Sequence, residues 1–173
     1  MRKGEFDREM TPAPRERKTK TAAEALQSLM RLCARAERSS GDAMRLMRTW
    51  GVPEAEREGV LSRLVEQRFI DDRRYAEAYT REKTSLSGWG ARKIAQHLRQ
   101  KGVAPHIITE TLSAVDDLAQ QSRLEDRLRR KQRTTKAASD YELRGKLLRY
   151  ALSQGYEYDV CRDAVDKILG SDE

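Results

Sequence analysis

The sequence predicts an all-α protein made of three tandem three-helix repeats. Three observations carry that prediction. Helix formers dominate, with many Leu, Ala, Arg, Glu and Gln and only four prolines and ten glycines in 173 residues. Apolar residues recur at i, i+3, i+4 and i+7, most cleanly at Ala91, Ile94, Ala95 and Leu98, with Arg92, Gln96, Arg99 and Gln100 on the opposite stripe. One pattern then returns three times: a helix, a glycine suited to close it in the left-handed conformation, and a second helix. The glycines are Gly51, Gly102 and Gly155, spaced 51 and 53 residues apart. At offsets of nine, ten and thirteen after them come Val60, Leu61 and Leu64, then Thr111, Leu112 and Val115, then Ala164, Val165 and Ile168. A repeat of about fifty residues exceeds the roughly 34 to 47 of two-helix solenoid units, which leaves room for a third helix.

Taken in order, residues 1–20 hold two prolines, no helical stripe and a basic excess, and read as a disordered basic arm. The first repeat is expected over 21–70. It opens on a capping box, Thr21-Ala22-Ala23-Glu24, ahead of a stripe of Ala22, Leu26, Leu29, Met30 and Cys33 that ends near Arg38. Ser39 to Asp42 starts the second helix, closed at Gly51, and Pro53 to Gln67 forms the third with Val60, Leu61, Leu64 and Val65 inward. The second repeat, 71–115, begins at Asp71-Asp72, a helix-capping pair, and places Tyr75, Ala76 and Tyr79 on one face. Ser85 to Gly90 reads as a loop into the central helix, which Gly102 closes before Pro105 starts the next. The third repeat, 116–173, has a long helix from about Asp116 to Arg133. A second capping box at Ser139-Asp140-Tyr141-Glu142 follows, then a stripe of Leu143, Leu147, Tyr150 and Ala151 up to Gly155, and a last helix from Val160 to Leu169.

Charge narrows the partner. The chain carries 35 Lys and Arg against 28 Asp and Glu, a formal +7. Ten cations face four carboxylates between residues 123 and 149, so that stretch alone holds +6. Arg123, Arg127 and Arg130 lie at i, i+4 and i+7 on one helix, and Arg144, Lys146 and Arg149 add to them on the next. Helix pairs Glu125–Arg129 and Asp126–Arg130 neutralise only part of this, so the excess reads as a surface for phosphate or acidic protein. With Lys131 and the second repeat's Arg74, Arg92, Lys93, Arg99 and Lys101, these are the candidate partner- and DNA-binding residues.

Reaction chemistry finds no foothold. His97 and His106 have no companion at ligand spacing, so neither a metal nor a cofactor is expected. No nucleophile elbow, phosphate-binding glycine loop or dinucleotide fingerprint occurs, and Gly88-Trp89-Gly90 lacks a preceding strand. Trp50, Trp89, Tyr75 and Tyr79 could stack on bases, but read as seals between helices. Cys33 and Cys161 read as small core residues in a reducing compartment. No apolar run reaches the length of a membrane span and no secretion signal opens the chain. The expectation is a cytoplasmic protein that is not an enzyme.

The string Phe69-Ile70-Asp71-Asp72-Arg73-Arg74-Tyr75-Ala76, followed by Gly90-Ala91-Arg92-Lys93-Ile94 and Leu98-Arg99-Gln100-Lys101-Gly102-Val103, resembles the RecX family of recombination regulators. The Ala34-to-Asp42 region and Arg149 to Tyr156 are similar to its first and third repeats, although Gln154 stands where the family often has arginine. The resemblance covers about residues 21–169. It implies an elongated, curved array of three-helix repeats, with Asp71, Asp72, Arg74 and Tyr75 at the first junction and Arg92, Lys101 and Gly102 in the middle repeat. It also implies a monomeric protein that binds the RecA-type recombinase filament on single-stranded DNA and inhibits recombinase activity, and with it recombination, DNA repair and the SOS response. Non-specific contact with single- or double-stranded DNA belongs to the same expectation. The competing reading is a helix-turn-helix-like protein that acts on duplex DNA without the recombinase.

Overall fold

The computed structural model describes residues 19–170, and among them it holds nine α-helices, one short π-helix and no strand. All but the last two residues of the expected N-terminal arm lie outside the described residues. The helices are α1 (Ala22–Cys33), α2 (Ser40–Thr49), α3 (Glu54–Glu66), α4 (Asp72–Glu82), α5 (Ala91–Gln100), α6 (Pro105–Ser113), α7 (Asp117–Thr134), α8 (Asp140–Ser153) and α9 (Tyr158–Leu169). Extensive helix-to-helix packing stays within α1–α3, α4–α6 and α7–α9. Each group closes its own core. Ala25, Leu29, Met47, Val52 and Leu64 fill the first; Ala76, Ile94, Leu98 and Ile108 the second; Leu124, Leu128, Leu147, Cys161 and Val165 the third. Three small cores in series match a chain with little apolar material for its length.

The periodic glycines do what their spacing predicts. Gly51, Gly102 and Gly155 have φ of 70°, 76° and 88°, a region costly to any side chain with a Cβ. Helix starts follow the capping chemistry with two corrections. Thr21 and Glu24 form a complete capping box. At α8, Ser139 accepts from the Glu142 amide, but the Glu142 carboxylate takes the Ala138 amide at 2.7 Å, so the reciprocal bond is absent. The Asp71-Asp72 pair divides its labour. Asp71 accepts from the Arg74 amide at 3.0 Å and caps its own helix, whereas Asp72 accepts from the Ser40 amide at 2.8 Å and caps α2 in the neighbouring group. Asp72→Ala is therefore expected to cost about 1 kcal/mol, as a lost N-cap does, although it leaves α4's own cap intact. A urea midpoint unchanged from the parent would contradict this.

Other boundaries moved. α1 stops at Cys33, short of Arg38. Val65 is 47% exposed rather than inward, because the buried line of α3 runs through Val60 and Leu64. Val115 lies beyond the end of α6, and Ile108 supplies the buried position two turns earlier. The expected loop after α4 begins as a π-helix, Lys83–Ser87, closed by Gly88 at φ 61°.

The groups are joined by a repeated contact in which one group's glycine turn seats on the start of the preceding group's middle helix. At the first joint the Ser39 hydroxyl donates to the Lys101 carbonyl at 2.6 Å, and Lys101 Nζ reaches Asp42 at 3.1 Å. A Cβ on Gly41 would collide with that same carbonyl. At the second, the Gly90 amide donates to the Gln154 carbonyl (2.8 Å) and the Arg92 amide to the Gly155 carbonyl (3.1 Å). The Tyr156 hydroxyl donates to the Gly88 carbonyl at 3.3 Å. These bonds satisfy carbonyls that a helix end leaves without partners.

Candidate functional site

Placed in the structure, the candidate cations fall into three classes, which the sequence does not separate. Five serve the joints. Arg74 Nε donates to Glu37 at 2.7 Å and its terminal nitrogen to the Arg68 carbonyl at 3.3 Å, and Glu37 holds the guanidinium above its ordinary pKa. Arg92 faces Glu157 at 3.7 Å, and Lys93 Nζ donates to the Ser153 carbonyl at 3.2 Å while lying 4.5 Å from the Trp89 ring centre. Lys101 belongs to the first joint, as above. Arg127 donates to the Leu86 carbonyl at 3.2 Å, and its guanidinium occupies the space over Gly88. The predicted line of Arg123, Arg127 and Arg130 is thus broken in the middle, because Arg127 turns toward the second group.

Two more are paired inside the third group. Arg144 makes a two-pronged contact with Asp166, at 2.9 and 3.1 Å. Lys146 bonds Glu142 and the Lys136 carbonyl, both at 2.7 Å, and the pairing holds the Glu142 carboxyl below its usual range. Glu125 is buried, with Arg129 at 3.5 Å and Lys167 at 2.7 Å, and ties α7 to α9. The expected Asp126–Arg130 pair does not form. Asp126 takes Arg129 at 3.3 Å, and Arg130 Nε donates to the Asp126 backbone carbonyl instead.

That leaves Arg99, Arg123, Arg130, Lys131 and Arg149, all exposed and without an ion pair among the described residues. Arg130 and Lys131 line a shallow groove of ≈ 430 Å³ with Arg127, Thr134 and Tyr150. Lys131 Nζ lies 5.6 Å from the Tyr150 ring centre. A cationic groove with an aromatic in its lining suits a phosphate backbone and a stacked base. Tyr150 read as a stripe residue in the sequence, and only the packing of α7 beside α8 places it at the groove. Arg99 lines a second groove, of ≈ 810 Å³, with Arg92, Lys93, Gln96, His97 and Ser153 between the second and third groups. Arg123 stands apart, at the rim of a ≈ 260 Å³ hollow lined by Thr80, Thr84 and Thr111.

Among the aromatics, Tyr75 and Tyr79 stack at 5.8 Å, and Trp89 meets His97 at 4.7 Å, the sealing use expected of them. Burial pushes the Tyr75 phenol up to about 12. Burial likewise raises the Cys161 thiol to about 11 and Cys33 above its usual value, which leaves little thiolate at neutral pH. Among the described residues no cluster of three or more metal-binding side chains occurs, and no helix is long and apolar enough to cross a membrane.

Comparison with known proteins agrees with this architecture. The family profile for the second three-helix domain of RecX matches residues 71–112, and that for the third three-helix domain matches residues 119–165. Regulatory protein RecX of Mycobacterium sp. (strain JLS) is 34% identical over 110 residues, covering 61% of this chain and 60% of the relative, so the matched stretch spans less than two thirds of that protein. Regulatory protein RecX of Mycolicibacterium smegmatis is 31% identical over 126 residues, covering 70% of this chain and 67% of the relative. The crystal structure of RecX from Lactobacillus salivarius superposes with a TM-score of 0.75 at 18% identity, over 86% of this chain and 96% of that one. Domain profiles, relatives and backbone agree, and the chain belongs to the RecX family of regulatory proteins.

Proposed function

We propose that this protein binds the RecA-type recombinase filament on single-stranded DNA and inhibits the recombinase, acting as a monomer in the cytoplasm on recombination, repair and the SOS response. Membership of a family of regulatory proteins is the observation that carries this reading. The distribution of charge supports it. Arg130 and Lys131 on α7 stand clear of the joints beside Tyr150, and Arg149 on α8 is likewise exposed, so a filament's exposed strand or acidic protein surface would meet free cations here. The joints supply the rest, because three units held in series offer a long surface to a helical assembly.

The duplex-reading alternative fits less well. In that mode the helix after each glycine turn enters the major groove by its N-terminal end. Here α3 opens with exposed Glu54, Glu56 and Glu58, and α9 carries Asp159 in its first turn, so both would bring carboxylates to phosphates. The test is strand exchange by purified recombinase with the protein titrated from substoichiometric to equimolar amounts. A progressive fall in exchange is expected, and unchanged exchange across that range contradicts the reading.

A further inference from the structure

The hollow beside Arg123 is lined in a way that the packing of this chain does not require. Thr80 on α4, Thr84 on the π-helix and Thr111 on α6 line it, at 4%, 5% and 8% exposure. Four buried side-chain polar atoms among the described residues have no hydrogen-bond partner, and three of them are these hydroxyls. Buried polar groups are nearly always paired. A helical threonine commonly returns its hydroxyl to a carbonyl one turn back, as Thr49 does to Arg45 and Thr109 to Pro105, both at 3.0 Å. Valine would fill the same shape with no hydroxyl to desolvate, so packing alone does not call for threonine three times over. Thr84 is also carried by the π-helix, a rare form that recurs at functional sites. Two exposed guanidiniums, Arg81 and Arg123, and one exposed carboxylate, Glu77, complete the charged lining, and none of the three has an ion pair among the described residues.

We propose that this hollow receives one carboxylate side chain of the protein partner, with the threonine hydroxyls donating to it and Arg123 and Arg81 neutralising it. This rests on the recombinase reading above. Its ≈ 260 Å³ falls short of the roughly 300 Å³ at which small-molecule pockets begin, so it suits a single side chain. Threonine in a helix has two accessible χ1 rotamers, so each hydroxyl can turn to a ligand while the backbone stays put. The negative pole at the end of α6, which Ala114 caps, works against an anion, and the two guanidiniums offset it. A strand of phosphates is the poorer occupant. Glu77 stands in the lining, exposed Asp116 and Asp117 follow Val115 directly, and all three repel a polyanion. Leu86 and Leu118, 76% and 79% exposed, adjoin the lining in sequence at Ser85 and Val115, and exposed apolar residues around a polar pocket suit a protein surface.

Three variants of the full chain test this, with recombinase filament on single-stranded DNA as the probe and co-sedimentation as the readout. Thr80→Val combined with Thr111→Val is expected to keep or raise the melting temperature, because two unpaired hydroxyls go, and to weaken filament binding by about tenfold. Arg123→Gln is expected to weaken binding by a similar factor at an unchanged melting temperature, and Glu77→Gln not to weaken it. Filament affinity unchanged in the valine variant overturns the site, its hydroxyls then serving water, and leaves the functional reading standing. A lowered melting temperature in the valine variant, with Arg123→Gln binding normally, overturns it in favour of a structural role. Weakening by Glu77→Gln alone overturns it in favour of a cationic group. An equal loss of binding to single-stranded DNA without recombinase overturns it in favour of a phosphate. Failure of the parent chain to bind filament overturns both the site and the functional reading.

Discussion

Reversing Arg130, Lys131 and Arg149 to glutamate is expected to weaken binding to the recombinase–DNA filament by about a hundredfold or more at low salt, with the fold intact. All three are exposed and belong to neither joint. Surface substitutions of that kind normally shift stability by less than about 0.5 kcal/mol each. If these cations meet phosphate, the slope of log affinity against log salt should also flatten, by about 0.7 for each phosphate of a single strand that is no longer neutralised. Circular dichroism should show the parent's helicity and melting temperature. Affinity and slope unchanged in a folded triple variant would move the binding surface to another face. Arg127 is the informative contrast. It is as basic and sits in the same groove, yet it donates to the Leu86 carbonyl across the second joint. Its reversal should therefore lower stability as well as affinity.

Gly155→Ala should produce the largest loss of stability, about 3 kcal/mol or more. Two causes add. The residue has φ 88°, where a Cβ is strained, and that Cβ would be driven into the Lys93 side chain and backbone. The damage falls where the Gly90 and Arg92 amides meet the Gln154 and Gly155 carbonyls, so the second and third groups should also uncouple. Urea unfolding followed by tryptophan fluorescence reports the first two groups, through Trp50 and Trp89. Far-ultraviolet circular dichroism reports all three. Coincident curves in the parent and separated curves in the variant are expected; an unchanged midpoint and coincident curves would contradict the role given to this joint.

What the sequence could reveal follows from the range of each interaction. The closing glycines, the apolar stripes and the Thr21 cap are local, set by residues within a turn or two, and apart from Val65 and Val115 the structure has them where the pattern put them. Cation roles are set across the joints. Lys101 and Asp42 are 59 residues apart, and Lys93 and Ser153 are 60, so nothing near either lysine indicates that it is engaged. Shorter separations, 32 residues from Ser40 to Asp72 and 150 − 131 = 19 from Lys131 to Tyr150, still concealed Asp72's service to α2 and the placing of Tyr150 beside Lys131. Asp126 and Arg130 failed for a different reason. Helix spacing permits that pair, but Arg129 reaches the same carboxylate while Arg130 folds back onto the Asp126 carbonyl. Val65 follows from its neighbours, since α1 and α2 together cover only a narrow stripe of α3.

The most direct measurement is co-sedimentation of the purified full chain with three targets: recombinase filament on single-stranded DNA, single-stranded DNA alone, and recombinase without DNA. Saturable pelleting with the filament, well above that with either component alone, is the predicted result. Pelleting with bare DNA equal to that with the filament, or none with any target, would contradict a regulator that works on the assembled recombinase.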